Sequence, residues 1–151
     1  MKTLLATLLA CTLGLSAAPA LASKPETPTA IAGAKVISVD EGKALAASKA
    51  ATFIDTRSPV NFGKGRIPGA VIVAYKEKSE PSASFDASQD AFPLDKLPAD
   101  KKARIVFYSD GPTGWKSYKA AVLAVKAGYT NVMYMRSGFA EWETRGLPVE
   151  R

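Results

Sequence analysis

Residues 104–122 read RIVFYSDGPTGWKSYKAAV. An apolar run, Ile105-Val106-Phe107-Tyr108, stops at Ser109-Asp110. A loop of glycine and proline follows, Gly111-Pro112-Thr113-Gly114, and then an alanine-rich helical pattern from Trp115 to about Ala127, with Gly128 as its stop. Strand, tight loop and helix in this order either build an anion site at a helix N-terminus or present a nucleophile. This loop holds no cysteine, histidine or arginine.

Working outward, the same alternation recurs. Lys35–Val39 alternates like a strand, and Asp40 is the expected N-cap of a short helix through Ser48. Ala51–Ile54 is a buried strand ending at Asp55-Thr56-Arg57, and Ser58-Pro59 opens a short helix or turn. Gly63–Gly69 is a bend leading into the strand Ala70–Val73. Residues 76–93 are polar with Pro81 and Pro93, an expected surface loop long enough to be partly mobile. Asn131–Met135 is a last strand, and Gly138–Arg145 a last helix stopped by Gly146 and Pro148. Apolar strands alternating with helices predict an α/β fold, a single domain with a twisted, mostly parallel sheet flanked by helices.

Composition narrows the chemistry. The 151 residues contain no histidine and one cysteine, Cys11. Residues 1–22, MKTLLATLLACTLGLSAAPALA, pair Lys2 with an apolar stretch from Leu4 to Leu15 that is too short to span a bilayer. Pro19 and then Ala20-Leu21-Ala22 complete the pattern of a secretory signal peptide cleaved near Ala22. The competing reading places a lipid on Cys11 after Leu8-Leu9-Ala10, but the apolar stretch before Cys11 is short for that. The expected organisation is a signal peptide over 1–22, an extended or mobile linker over 23–34 and the domain over 35–151. The mature chain is then periplasmic or secreted, with no transmembrane segment. It has neither thiol nor imidazole, which excludes disulfides, thiolate and imidazole metal sites, and Ser-His-Asp or Cys-His catalysis within the chain. No clustered carboxylates suggest a hard cation, so no metal and no cofactor is expected. The formal net charge of +6 is spread along the chain without a basic run interleaved with aromatics. That pattern excludes nucleic acid and leaves a general attraction to anionic partners.

Several stretches together resemble one family. Phe53-Ile54-Asp55-Thr56-Arg57-Ser58-Pro59, Gly65-Arg66-Ile67-Pro68-Gly69-Ala70, the strand–loop–helix of Ile105–Ala121, and Asn131-Val132 with Arg136–Trp142 and Gly146-Leu147-Pro148-Val149 are similar, in order, to the motifs of rhodanese-like (sulfurtransferase) domains. The resemblance covers roughly residues 36–150. It implies a parallel sheet flanked by helices and, in family enzymes, a cysteine directly after the strand that carries sulfane sulfur within a ring of loop N–H groups. Here that position is Ser109, or Gly111 if the loop is aligned two residues shorter. The place of a second cysteine found in some relatives is Gly114, and the histidine of the bend is Arg66.

A serine is a far weaker nucleophile than a thiolate and needs a base, which here could only be Asp110 or Asp55. A hydroxyl that hydrogen-bonds the loop suits Ser109 better. The candidate anion or partner site is therefore Ser109, Asp110, Gly111, Thr113, Gly114, Trp115 and Lys116, supported by Asp55, Arg57 and Arg66. Lys116, in the first turn of the helix, opposes the dipole unless an anion binds there. Lys119 and Lys126 lie within about 80° of it and suit a solvated face. Trp115 and Trp142 suit the core, and Asp55–Arg57 suits a loop-fixing pair as well as a ligand contact. The expected function is an exported rhodanese-like protein, inactive in sulfur transfer, that binds a small anion or an envelope partner protein. The alternative is a sulfurtransferase-like or hydrolytic enzyme acting without its own thiol.

Overall fold

The structure is a computed structural model that describes residues 23–151; the expected signal peptide, with Cys11, lies outside the described residues. Five parallel strands stand in the order β1-β5-β4-β2-β3: β1 Ala34–Val36, β2 Thr52–Asp55, β3 Val71–Ile72, β4 Ile105–Tyr108 and β5 Val132–Tyr134. The helices are α1 Val39–Ala47, α2 Pro59–Lys64, α3 Trp115–Lys126 and α4 Gly138–Thr144.

β4 is central because all four of its side chains are apolar and both of its faces are covered. Ile105 and Phe107 face α3, packing with Tyr118, Ala120, Ala121 and Ala124. Val106 and Tyr108 face the other layer, with Val39, Phe139 and Trp142. Each fully buried large side chain contributes about 1.5–3 kcal/mol. β4 is followed by β5 on one side, and β2 by β3 on the other. Their C-terminal ends therefore flank a topological switch point, where open α/β sheets place ligands. The residues there are Ser109, after β4, and Thr56-Arg57, after β2.

Three expectations change. Helix α1 is capped by Ser38 rather than Asp40: Ser38 Oγ accepts from Glu41 N (3.1 Å) and Glu41 Oε2 accepts from Ser38 N (2.9 Å). Residues 76–93 are organised around one carboxylate: Asp90 accepts from Tyr75 Oη, Lys78 N, Ser79 N and Ser79 Oγ, all at 2.6–2.7 Å. The segment before β1 is extended as expected but is tied to the domain. Thr27, 2% exposed, donates its N–H and Oγ1–H to Pro112 O (2.8 and 2.9 Å), and Arg136 donates to Thr27 O. Ile31 joins the core beneath α3.

Candidate functional site

Ser109 is the first residue beyond β4 and is 1% exposed. Its hydroxyl donates to Gly114 O (3.1 Å) and accepts from Ser117 Oγ (3.1 Å), which also lies 3.2 Å from Gly114 O. The serine thus bridges the two ends of its own loop and the first turn of α3. A Cβ at Gly114 would fall on Ser109 Oγ, so only glycine lets the loop close over this hydroxyl.

The loop carbonyls are spent on neighbours. Ser109 O accepts from Phe139 N (2.8 Å), Asp110 O from Ala140 N (2.9 Å), Gly111 O from Gly114 N (2.8 Å) and Pro112 O from Thr27. The approach of α4 requires Gly138, whose φ is +65° and whose Cβ would lie 2.6–2.7 Å from Ser109 O, Asp110 C and Gly111 N. The N–H groups are not spent: among the described residues, Asp110, Gly111, Thr113, Trp115 and Lys116 have no acceptor for theirs. A loop whose carbonyls point to the scaffold and whose amides are unpaired at a helix start is electropositive.

A cleft of about 190 Å³ opens on this loop, lined by Ser109, Asp110, Thr113, Gly114, Trp115 and Lys116, and also by Lys24 and Glu77. The structure therefore brings together the expected residues except Gly111, whose Cβ direction leads toward Ser137 O (3.5 Å) and Ala140. It adds two that sequence reasoning missed. Lys24 Nζ meets Glu77 Oε1 at 2.7 Å across the cleft. Both stand in segments read as linker and loop, and no local pattern marks them.

Trp115 is 4% exposed, stacks edge-to-face on Tyr118 and donates from Nε1 to Pro25 O (2.8 Å), so it serves core and cleft together. Trp142 is a core residue whose Nε1 donates to Pro148 O. Lys126 is exposed and Lys116 half-buried. Lys119, expected on a solvated face, is instead 0% exposed. Its Nζ donates to Ser79 O and Oγ (3.1 and 2.8 Å) beside Glu77 Oε2 (3.0 Å), because residues 76–90 fold over α3.

The supporting residues divide. Asp55 and Arg57 form a buried two-point pair: Nε and Nη2 reach the carboxylate at 3.0 and 2.7 Å, and Arg57 N–H adds a bond to Oδ1. Arg57 Nη2 also donates to Gly65 O, and the guanidinium lies 4.2 Å over the Phe139 ring. Burial alone would lower the Arg57 pKa, but the hydrogen bonds and charge of Asp55 more than offset it, and the pKa is raised. The pair fixes the β2 end against α2 and α4, and Arg57 borders a second cleft of about 350 Å³ on the other side of Asp110, with Asn61, Lys64 and Glu143. Tyr108 is held well above the usual phenol range by burial first and by Asp55 second. Arg66 turns away from the loop: it pairs with Glu150 (2.7 Å) and stacks on Phe62.

Among the described residues there is no cluster of three or more potential metal ligands, and no helix is long and apolar enough to cross a membrane.

The profile of the rhodanese-like domain matches residues 38–145. The chain is 29% identical over 112 residues to thiosulfate:glutathione sulfurtransferase of Homo sapiens, across 74% of this chain and 96% of the relative. The structure of a human single-domain sulfurtransferase superposes with a TM-score of 0.53 at 26% identity, covering 74% of this chain and 97% of that one. The Alr3790 protein of Anabaena sp. superposes with a TM-score of 0.58 at 21% identity, covering 76% and 90%. On the profile match and the parallel sheet with its loop after β4, the chain belongs to the rhodanese-like domain family.

Proposed function

We propose that the protein is an exported member of this family that does not itself transfer sulfur. Its loop 109–116 binds a small anion or an envelope partner protein. The observation that carries this reading is the state of the Ser109 hydroxyl. It is buried, bonded to Gly114 O and Ser117 Oγ, and has no carboxylate bonded to it that could act as a base. A thiol can ionise near neutral pH because its pKa is about 8.5, whereas a hydroxyl without a base stays protonated. Residues 23–151 contain no cysteine. Within residues 23–151, the sulfur transfer named for the human relative has no thiol to serve as its nucleophile.

Binding is supported by the unpaired amides of the loop and by Lys116 in the first turn of α3. Export, with a periplasmic or secreted destination, is supported by Lys2, the apolar stretch and Ala20-Leu21-Ala22. The test has two arms. Thiosulfate:cyanide transfer by the protein should not exceed the buffer rate. Sulfate or thiosulfate should shift the amide signals of residues 109–116 with millimolar affinity, about −4 kcal/mol. Clear transfer by the unmodified protein overturns the first half, and loop amides unmoved in high sulfate overturn the anion half. Intact mass of the exported protein checks the cleavage: it should begin at Ser23, and a lipid on Cys11 or a retained Met1 refutes it.

A further inference from the structure

We propose a second binding site, lined by residues other than those of loop 109–116: the open edge of β3 takes an extended acidic peptide as an added strand. β3 is the terminal strand of the sheet. Val73 N donates to Asp55 O and Tyr75 N to Thr56 O, so the odd-numbered residues face β2. The alternation of a strand turns the N–H and C=O of Ile72 outward, and Ala74, just beyond β3, lies between two residues whose N–H groups are taken by the β2 side. Neither the Ile72 nor the Ala74 N–H has an acceptor among the described residues. The next outward residue, Lys76, is paired with Ala91 through two antiparallel bonds of 2.9 and 3.0 Å, so this edge already accepts an antiparallel partner. Two residues beyond Ala91 the pairing stops because Pro93 has no N–H to offer Ala74.

Where that segment diverges, a groove of about 660 Å³ remains, walled by Ile72, Ala74, Phe92 and Pro93 and bordered by Lys76 and Lys96. Asp90, the acid among the lining residues, is spent on Tyr75, Ser79 and Lys78 N. The uncommitted charge of the groove is thus positive. Free edge amides, apolar walls and rim lysines together fit an extended segment that alternates apolar and acidic residues. Main-chain bonds would supply affinity, and the pockets and lysines would supply selectivity.

The test uses acetyl-Glu-Val-Asp-Val-Glu-amide with the 15N-labelled protein at pH 7. The peptide should shift the amide signals of Ile72 and Ala74. A counterpart with lysine at the acidic positions, and another N-methylated along its backbone, should each bind at least about tenfold more weakly, roughly 1.4 kcal/mol. The Lys76→Glu/Lys96→Glu variant should lose a similar factor for the acidic peptide. Since both lysines are exposed, that variant should fold; the N-methylated peptide tests the strand bonds without changing the protein. Equal binding of the lysine peptide, equal binding of the N-methylated peptide, or unmoved Ile72 and Ala74 signals at about 5 mM peptide would each overturn the proposal. So would concentration-dependent protection of these two amides without peptide, which would make a second copy of the chain the occupant.

Discussion

Lys119 Nζ lies 3.0 Å from Glu77 Oε2 and 3.9 Å from Asp90 Oδ2, with none of the lysine exposed to solvent. Its protons are aimed at Ser79 O and Oγ, so the contact with Glu77 is one of charge rather than of hydrogen-bond alignment. Removing one member of a buried ion cluster strands the others. Lys119→Met should therefore lower the unfolding free energy by about 3–5 kcal/mol at pH 7, measured in urea.

The same cluster sets a pH dependence. Burial pushes the carboxyls of Glu77 and Asp90 up, but the hydrogen bond from Lys24 and the charge of Lys119 at Glu77, and hydrogen bonds from Ser79, Tyr75 and Lys78 to Asp90, outweigh it and hold both below the usual range. A carboxyl whose folded pKa is depressed stabilises the fold above its unfolded pKa, near 4, and that contribution is lost as pH falls further. Stability of the parent protein should therefore drop steadily below about pH 4.5, and the Lys119→Met variant should show a flatter acid limb. Parallel slopes for the two proteins would contradict the assignment.

Thr27 ties the segment before β1 to the loop through its N–H, its Oγ1 and a 2.9 Å bond to Tyr134 Oη. Thr27→Val keeps the shape and the N–H but leaves the buried Tyr134 hydroxyl short of a partner. The expected cost is about 1–2 kcal/mol. Amide exchange at Thr27 should accelerate. Because Trp115 Nε1 bonds Pro25 O on the same segment, Trp115 emission should shift toward that of a solvated indole. Unchanged exchange at Thr27 would mean that the side-chain bonds do not hold the segment.

Much of this was legible in the sequence. The run Ile105–Tyr108 and the glycine-bounded loop after it placed β4, α3 and the cleft, because burial on both faces demands a continuous apolar strand. Asp55 and Arg57 were recognisable as a pair, since two residues along an extended chain end bring them to the same strand terminus. Lys119 was not legible. Its helical spacing from Lys116 and Lys126 is that of a solvated face, and its burial is imposed by residues 76–90, a segment without periodicity whose path depends on Asp90. Lys24, Glu77 and the Thr27 contacts were hidden for the same reason: tertiary contacts of irregular chain leave no local pattern. Arg66 was misdirected by its neighbours in the bend, because its partner, Glu150, is 84 residues away.

Gly114 and Ser109 should be energetically coupled. A methyl at Gly114 would occupy the place of Ser109 Oγ and also approach Gly111 O at 2.9 Å. Gly114→Ala should cost about 1–3 kcal/mol through overpacking. Ser109→Ala removes the hydroxyl that the methyl strikes, so the double variant should be more stable than the sum of the singles predicts, by about 0.5 kcal/mol or more in a double-mutant cycle. Additive effects would mean that the clash is relieved by movement of the loop rather than by the hydroxyl.

The last prediction restores the missing reagent. In Ser109→Cys the thiol starts from the buried position after β4, beside the unpaired loop amides, the start of α3, Lys24 and Lys116. Burial and the carboxylates of Asp110 and Glu77 would raise its pKa, while the amides, the helix dipole and Lys116 favour the thiolate. If the loop amides converge on this position, the second group wins and the pKa falls below the ordinary value of about 8.5. The pH dependence of iodoacetamide alkylation reads this directly, because residues 23–151 of the parent contain no thiol to contribute background. The variant should also gain thiosulfate:cyanide transfer. Gly111→Cys is the control: its side chain would be directed at Ser137 O and Ala140 rather than into the cleft, and it should stay inactive. Activity from Gly111→Cys alone would assign the nucleophile position to residue 111. A folded but inert Ser109→Cys with an ordinary thiol pKa would mean that the loop amides do not converge there, and the anion reading of the cleft would fall with it.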